Sequence, residues 1–134
     1  MAKESGIGMT CTVDDSGGSA RNISADITNL DFSTPRGVQV TTGLSSSAED
    51  RLLLLADFSC TLNGVFNDGS NMSHDVFKTT SSTSVARTVT IVVSGQTLPN
   101  EAFPTDYPLT RAASGELTWA VPMVLSGAVV PTWA

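Results

Sequence analysis

The chain has 134 residues, 40% of them hydrophobic and 15% charged, with a formal net charge of −6 and a sequence pI near 4.4. That length suits one domain with a core that needs no staples, and the scarcity of charge leaves a surface of Ser, Thr and Gly. Seven scattered basic residues exclude a groove that wraps nucleic acid, and no apolar run approaches the ~20 residues of a helical membrane span.

Residues 1–8 (MAKESGIG) are small and polar and read as a flexible N-terminal arm. They lack the apolar stretch of a secretory signal, so synthesis and folding in the cytoplasm are expected. Met9, Cys11 and Val13 then alternate with threonines, the period of a strand. DDSGGS (14–19) is turn chemistry. DITNLDFSTP (26–35) is a strand with Thr28, Leu30 and Phe32 on one face and Ile27, Asn29 and Asp31 on the other. Pro35 ends it or marks a sheet edge. GVQVTTG (37–43) is a second strand, and the PRG step between them reads as a hairpin connection.

A serine-rich loop follows through Asp50, with Ser46 and Glu49 at capping-box spacing. A single strand is expected from Arg51 to Phe66, with Gly64 as a bulge or bend. The LLLL run has no period of its own, so residues 48–55 fit either strand or helix. As a strand, its leucines need cover on both faces, one from the core and one from another element or another copy. After the NDGSN turn, MSHDVFKTTSS (72–82) has helical logic. Ser70 or Ser73 can cap it, Asp75 sits in the first turn, and Met72, Val76 and Phe77 share a face.

ARTVTIVV restores the strand period, and SGQTLPNEAFPTDYP (94–108) reads as a Pro-rich connection. In LTRAASGELTWAVPMVLSG every second residue from Leu117 through Trp119, Val121, Met123 and Leu125 is apolar, and Ser114–Gly115 supplies a hairpin turn. AVVPTW is a last short strand. The sum is one domain over 1–134, mainly β. It is an antiparallel β-sandwich or barrel with one flanking α-helix over about 72–82 and a long loop or hairpin available for assembly.

DGSNMSHDVF (68–77) holds the sole histidine, His74, between Ser73 and Asp75. Adjacent residues on a helix point about 100° apart, so these three do not converge as a nucleophile, base and acid. A turn running into a helix N-terminus accounts for them. DGSN lacks the spacing of a calcium loop. The acid pairs Asp14–Asp15 and Glu49–Asp50 read as solvated surface, Trp119 as core, and Trp133 as either core or a sugar-stacking ring. Cys11 and Cys60, without a CxxC, read as buried free thiols or an inter-strand disulfide. No catalytic residue, cofactor or metal is expected, and the chain does not read as an enzyme.

The order of elements, ADFSCTLNGVFNDGS running into the helix, and the ending LTRAASGELTWAVPMVLSGAVVPTW together resemble the major tail tube proteins of long-tailed bacteriophages. The resemblance implies a structural virion protein whose copies form rings with a continuous inner barrel, stacked into a tube. Its partners would be itself and other tail proteins (tape measure, tail terminator, baseplate or tip), with DNA only as transiting cargo and no membrane. Its place would be the virion tail, after synthesis in the host cytoplasm. On that resemblance Asp26, Asp31 and Asp57 are candidate lumen acids. Arg36, Ser45, Ser46, Ser47, Glu49, Asp50 and Arg51 are candidates for contacts between rings or subunits. An acidic bore repels phosphate, and joining sheets edge to edge consumes exposed strand rims. The alternatives are a capsid-decorating or head–tail joining virion protein, or a β-sandwich that binds a ligand or carbohydrate.

Overall fold

The computed structural model describes residues 5–127 and 129–134. Its strands are β1 (Thr10–Asp14), β2 (Ala20–Asn22), β3 (Ile27–Ser33), β4 (Arg36–Val40), β5 (Arg51–Ala56), β6 (Ser59–Val65), β7 (Arg87–Val93), β8 (Gln96–Pro104), β9 (Leu109–Arg111) and β10 (Leu117–Leu125). One short helix, α1 (Ser73–Phe77), lies between β6 and β7. The main sheet runs β2-β1-β7-β8-β10-β6-β3, antiparallel throughout, with β9 also on β10. Its two end strands do not pair with each other, so the barrel stays open.

Alternation places the core. Cys11 and Val13 of β1, Val89 and Ile91 of β7, and Leu98 and Ala102 of β8 point inward from one half of the sheet. Cys60 and Leu62 of β6, with Trp119, Val121 and Met123 of β10, point inward from the other. These side chains form one buried cluster, so the sheet folds over on itself as two layers. Val76 and Phe77 of α1 enter the same core. Cys11 and Cys60 are buried and unbridged.

Strand β8 turns the corner between layers. It pairs with β7 along Gln96–Ala102 and with β10 only along Ala102–Pro104. The expectation of a Pro-rich connection over 94–108 is therefore overturned for Gln96–Pro104. Ser94 and Gly95, with φ of 50° and 79°, make a two-residue hairpin turn, and Leu98, Asn100 and Ala102 alternate inward. The two prolines disguised this strand. Pro99 does no harm because no strand lies on the far side of β8 at that point. Pro122 likewise falls in β10 between the residues paired to β9 and those paired to β8, where the ladder is already interrupted.

Five further expectations change. PRG does not close a hairpin: β3 pairs with β6, and β4 pairs with β5. The strand expected from Arg51 to Phe66 is broken at Asp57–Phe58 into β5 and β6. The bulge expected at Gly64 lies on the partner strand, where Thr28 is the extra residue between Ile27 and Asn29 opposite Gly64 and Asn63. Helix α1 spans only 73–77 of the expected 72–82, because the following KTTSSTS run of β-branched and serine residues favours turns. Of the expected arm, residues 1–4 lie outside the described residues, and Gly6–Met9 close a turn through a 3.2 Å backbone bond. Of the expected last strand, Ala128 lies outside the described residues. The rest of the segment is not a strand, although Ala134 and Thr97 exchange two backbone hydrogen bonds of 2.8 and 3.0 Å.

Candidate assembly surface

The chain leaves the main sheet after Ser33 and returns at Phe58. Between these points β4 and β5 form a separate two-stranded hairpin. Its neck is a backbone bond from Asp57 N to Pro35 O at 2.9 Å, and the Asp57 carboxylate accepts from Phe58 N at 2.8 Å. Pro35 stops the main-sheet ladder on one side of the neck, and Asp57 turns the chain on the other. The loop at the hairpin tip is ordered by its own polar groups. Asp50 N donates to Thr42 Oγ1 at 2.9 Å, and Thr41 N donates to Asp50 O at 2.8 Å.

Cross-strand register sorts the hairpin into two faces. Val38 lies opposite Leu53 and Val40 opposite Arg51, so Val38, Val40, Arg51 and Leu53 share one face; a register shift between Arg36 and Val38 sets both Leu54 and Leu55 opposite Gly37 and breaks the alternation there. Gln39 lies opposite Leu52 on the second face, and Leu54 packs against the bare backbone of Gly37. The first face is open to solvent, with Val38 51% exposed, Val40 57% and Leu53 62%, and Leu55 beyond the shift is 90% exposed. The expectation that the core would cover one side of the leucines is overturned, since all four leucines are exposed. A lone two-stranded ribbon is marginal in water, and scattered leucines are normal on surfaces whereas a contiguous strip of them marks a contact.

The seven candidate assembly residues gather on this hairpin. Ser45, Ser47, Glu49 and Asp50 are exposed in the tip loop, and the Ser46 hydroxyl accepts from Gly43 N at 3.3 Å. Arg51 begins β5 and forms an exposed ion pair with Glu49 at 3.5 Å. Arg36 is spent within the hairpin, donating twice to Leu54 O at 2.7 and 2.9 Å.

The candidate lumen acids separate. Asp31 is exposed on the outer face of β3, opposite Thr61 of β6, which is opposite Pro122 of β10. It is the one charged residue in β3, β6 and β10; their outer faces otherwise carry the polar Asn29, Ser33, Ser59, Thr61, Asn63 and Thr118 and the apolar Val65, Ala120, Pro122 and Val124. Asp57 is exposed at the hairpin neck. Asp26 is a correction, being only 4% exposed. Its carboxylate accepts from Asn67 Nδ2 at 3.0 Å and from Ser73 N at 3.1 Å. It thereby satisfies a free N–H at the start of α1 from 47 residues away, a role expected of Ser70 or Ser73. A 3-10 turn at Ser24–Asp26 swings it inward, so it presents no charge at the surface.

Two edges of the main sheet carry no strand partner among the described residues on the layer that holds Asp31. One is the seven-residue β3, and the other, across the layer, is the short β9. Sequence reasoning found the loop and its charges. It missed Val38, Val40 and Leu53 as a single face, although their spacing across an antiparallel pair carried the signal.

His74, Tyr107, Phe77 and Trp119 form an aromatic cluster beneath α1, with His74 Nδ1 3.2 Å from the Tyr107 hydroxyl. Burial, then the nearby Asp26, raises the Tyr107 pKa above its usual value. No group of three metal-ligating side chains occurs among the described residues.

No protein-family profile and no curated protein matches the sequence. Solved structures do share the fold. A chain from the tail of an empty GTA particle, refined with C6 symmetry, aligns with a TM-score of 0.78 at 16% identity, covering 98% of each chain. A chain from the virion of a native gene transfer agent particle aligns with a TM-score of 0.74 at 17% identity over 97% of this chain and 99% of that one. A chain from the sixfold-symmetrised baseplate of the anti-feeding prophage aligns with a TM-score of 0.68 at 11% identity, covering 100% and 97%. At these identities the likeness is one of fold, and it spans the whole chain.

Proposed function

We propose that this chain is a structural subunit of a phage-like tail, assembling as rings that stack into a tube through which DNA passes. The observation that carries the reading is the β4–β5 hairpin, an ordered ribbon with apolar faces and no cover within its own protomer. A protomer that keeps such a ribbon in water gains by seating it on another copy. The whole-chain likeness to tail and baseplate chains supports the same reading.

The two open edges give the ring. β3 and β9 lie on opposite sides of one layer, so pairing β3 of one copy with β9 of the next is a head-to-tail contact that closes by rotation. It also removes the rims through which sheets aggregate. The outer face of that layer then lines the bore. Across β3, β6 and β10 it holds Asp31 as its single charge among neutral polar and apolar side chains, so these strands contribute a band of negative charge and no cation to grip phosphate. Asp57 adds to this charge at the neck. The hairpin residues Arg36, Ser45, Ser46, Ser47, Glu49, Asp50 and Arg51 serve contacts with neighbouring copies.

Negative-stain imaging of the concentrated protein tests the proposal. Hollow filaments or rings are expected, and Leu53→Asp with Leu55→Asp should abolish them while the protomer stays folded. A second reading, a ring of the baseplate rather than of the repeating tube, is favoured by the anti-feeding prophage likeness and predicts isolated rings without filaments. Protein that stays monomeric at every concentration, with or without tail-initiating partners, sinks both.

A further inference from the structure

We infer that the groove between the C-terminal segment and β8 receives the β4–β5 hairpin of a neighbouring copy, with Arg51 of the hairpin meeting Glu101 of the groove. This rests on the tail-subunit reading and names the surface on which its hairpin docks.

The groove encloses about 260 Å³ and is walled by Pro99, Leu125, Val129, Val130 and Pro131. It exists because β10 leaves β8 after Ala102, so the half of β8 from Gln96 to Glu101 has no strand on that side. The C-terminal segment arches over the gap and is held at its far end. Ala134 exchanges two backbone hydrogen bonds with Thr97, and Trp133 stacks at a tilt on Phe32 with ring centres 6.1 Å apart. Ser126 N donates to Glu101 O at 3.0 Å at the near end. The walls are therefore anchored at both ends, and Val129 and Val130 still face solvent.

One polar group at this apolar groove asks for a donor. Glu101 is exposed, with one carboxylate oxygen taking the Thr88 hydroxyl and the other unpartnered among the described residues. The fitting occupant is an apolar strip that carries a positive charge.

The hairpin has that composition. Its open face is Val38, Val40 and Leu53, with Arg51 at the tip end. Arg36 cannot substitute, since its guanidinium is tied to Leu54 O. The Arg51–Glu49 pair is exposed on both sides and gives way readily. Leu125, at one wall of the groove, donates to Phe58 O at 3.0 Å, one residue past the hairpin neck, so groove wall and hairpin root are adjacent in the protomer. The contact joins unlike patches, the kind that propagates around a ring.

Cysteine cross-linking with charge exchange tests the inference. The native Cys11 and Cys60 are buried, so cysteines placed by Leu53→Cys and Val130→Cys are the reactive ones. Mild oxidation of assembled double variant should give a ladder of dimers and higher multimers on a non-reducing gel, with none from either single variant. Arg51→Glu or Glu101→Arg alone should lower the assembled fraction at least tenfold, and the two together should restore it to within about twofold. Assemblies that form normally yet give no ladder, with both charge reversals silent, overturn the inference and leave the tail-subunit reading intact. A protein that forms neither assemblies nor a ladder overturns both.

Discussion

Replacing Gly64 with alanine adds one methyl group where the fold has no room for it. A Cβ there would stand 2.3 Å from the backbone oxygen of Asp26 and 2.4 and 2.8 Å from Cζ2 and Cε2 of Trp119. Neither neighbour can retreat. The Asp26 backbone is held because its carboxylate is bonded to Ser73 N and Asn67 Nδ2. Trp119 is buried, its indole N–H donates to Val65 O at 2.8 Å, and its ring packs on Phe77 at 5.3 Å. Overpacking usually costs about 1–3 kcal/mol. With a fixed carbonyl on one side and a pinned indole on the other, the cost falls at the upper end, about 3 kcal/mol. For a domain of this size that lowers Tm by roughly 10–15 °C. Urea unfolding of dispersed protomers, followed by tryptophan fluorescence and circular dichroism, measures it directly. Gly37→Ala is the control, since its Cβ would meet only the Leu54 side chain at 3.4 Å and should change stability by less than about 0.5 kcal/mol. A Gly64→Ala protein within about 1 kcal/mol of the parent would refute the packing argument.

Three further outcomes are expected. Arg87 is fully buried, and its guanidinium donates to Val76 O, to Thr79 Oγ1 at 3.1 Å and to Asp14 O at 3.4 Å, tying the end of α1 to β1. Burial draws its pKa below the usual arginine value, with Asp15 and Asp14 opposing. Arg87→Ala should destabilise by about 3 kcal/mol or more through unpaired carbonyls and a cavity, read as a lower urea midpoint, and an unchanged midpoint would contradict that role. Burial pushes the Cys11 and Cys60 thiols up to about 12, so neither should react with a maleimide at pH 8 until the protein unfolds, and rapid labelling of the native state would disprove this. Backbone hydrogen bonds lower the Asp15 and Asp75 pKa values below 3.8, chiefly from Ser19 and Asn71 respectively. Depressed carboxyls stabilise above their unfolded pKa and lose that contribution as pH falls through the folded one. Stability should hold from pH 7 to about 5 and fall below about pH 4, less steeply in Asp15→Asn; the same slope in that variant would remove Asp15 as a cause.

Much of the fold was legible because it depends on near neighbours. Two-residue periods marked β1, β3, β6, β7 and β10, and the Asp15 turn is written in DDSGGS, whose Gly17 and Ser19 amides donate to the Asp15 carboxylate. The serine-rich loop and its charges were found as an assembly candidate on resemblance, and they do sit together on one hairpin. Prolines hid β8, since a proline rules out a central ladder position but not one facing an empty edge.

Local chemistry, then, determined that this chain makes antiparallel sheet with a neutral, faintly acidic surface. Which strands pair across tens of residues, and which faces are left over, was decided only in three dimensions. Asp26 looked like a surface acid until a 3-10 turn carried it inward to the start of α1. The leucines of β5 looked like core until Pro35 and Asp57 detached their ribbon from the sheet. Burial and exposure follow from partners distant in the chain, and alternation alone states that a strand has two faces without saying what will cover either one.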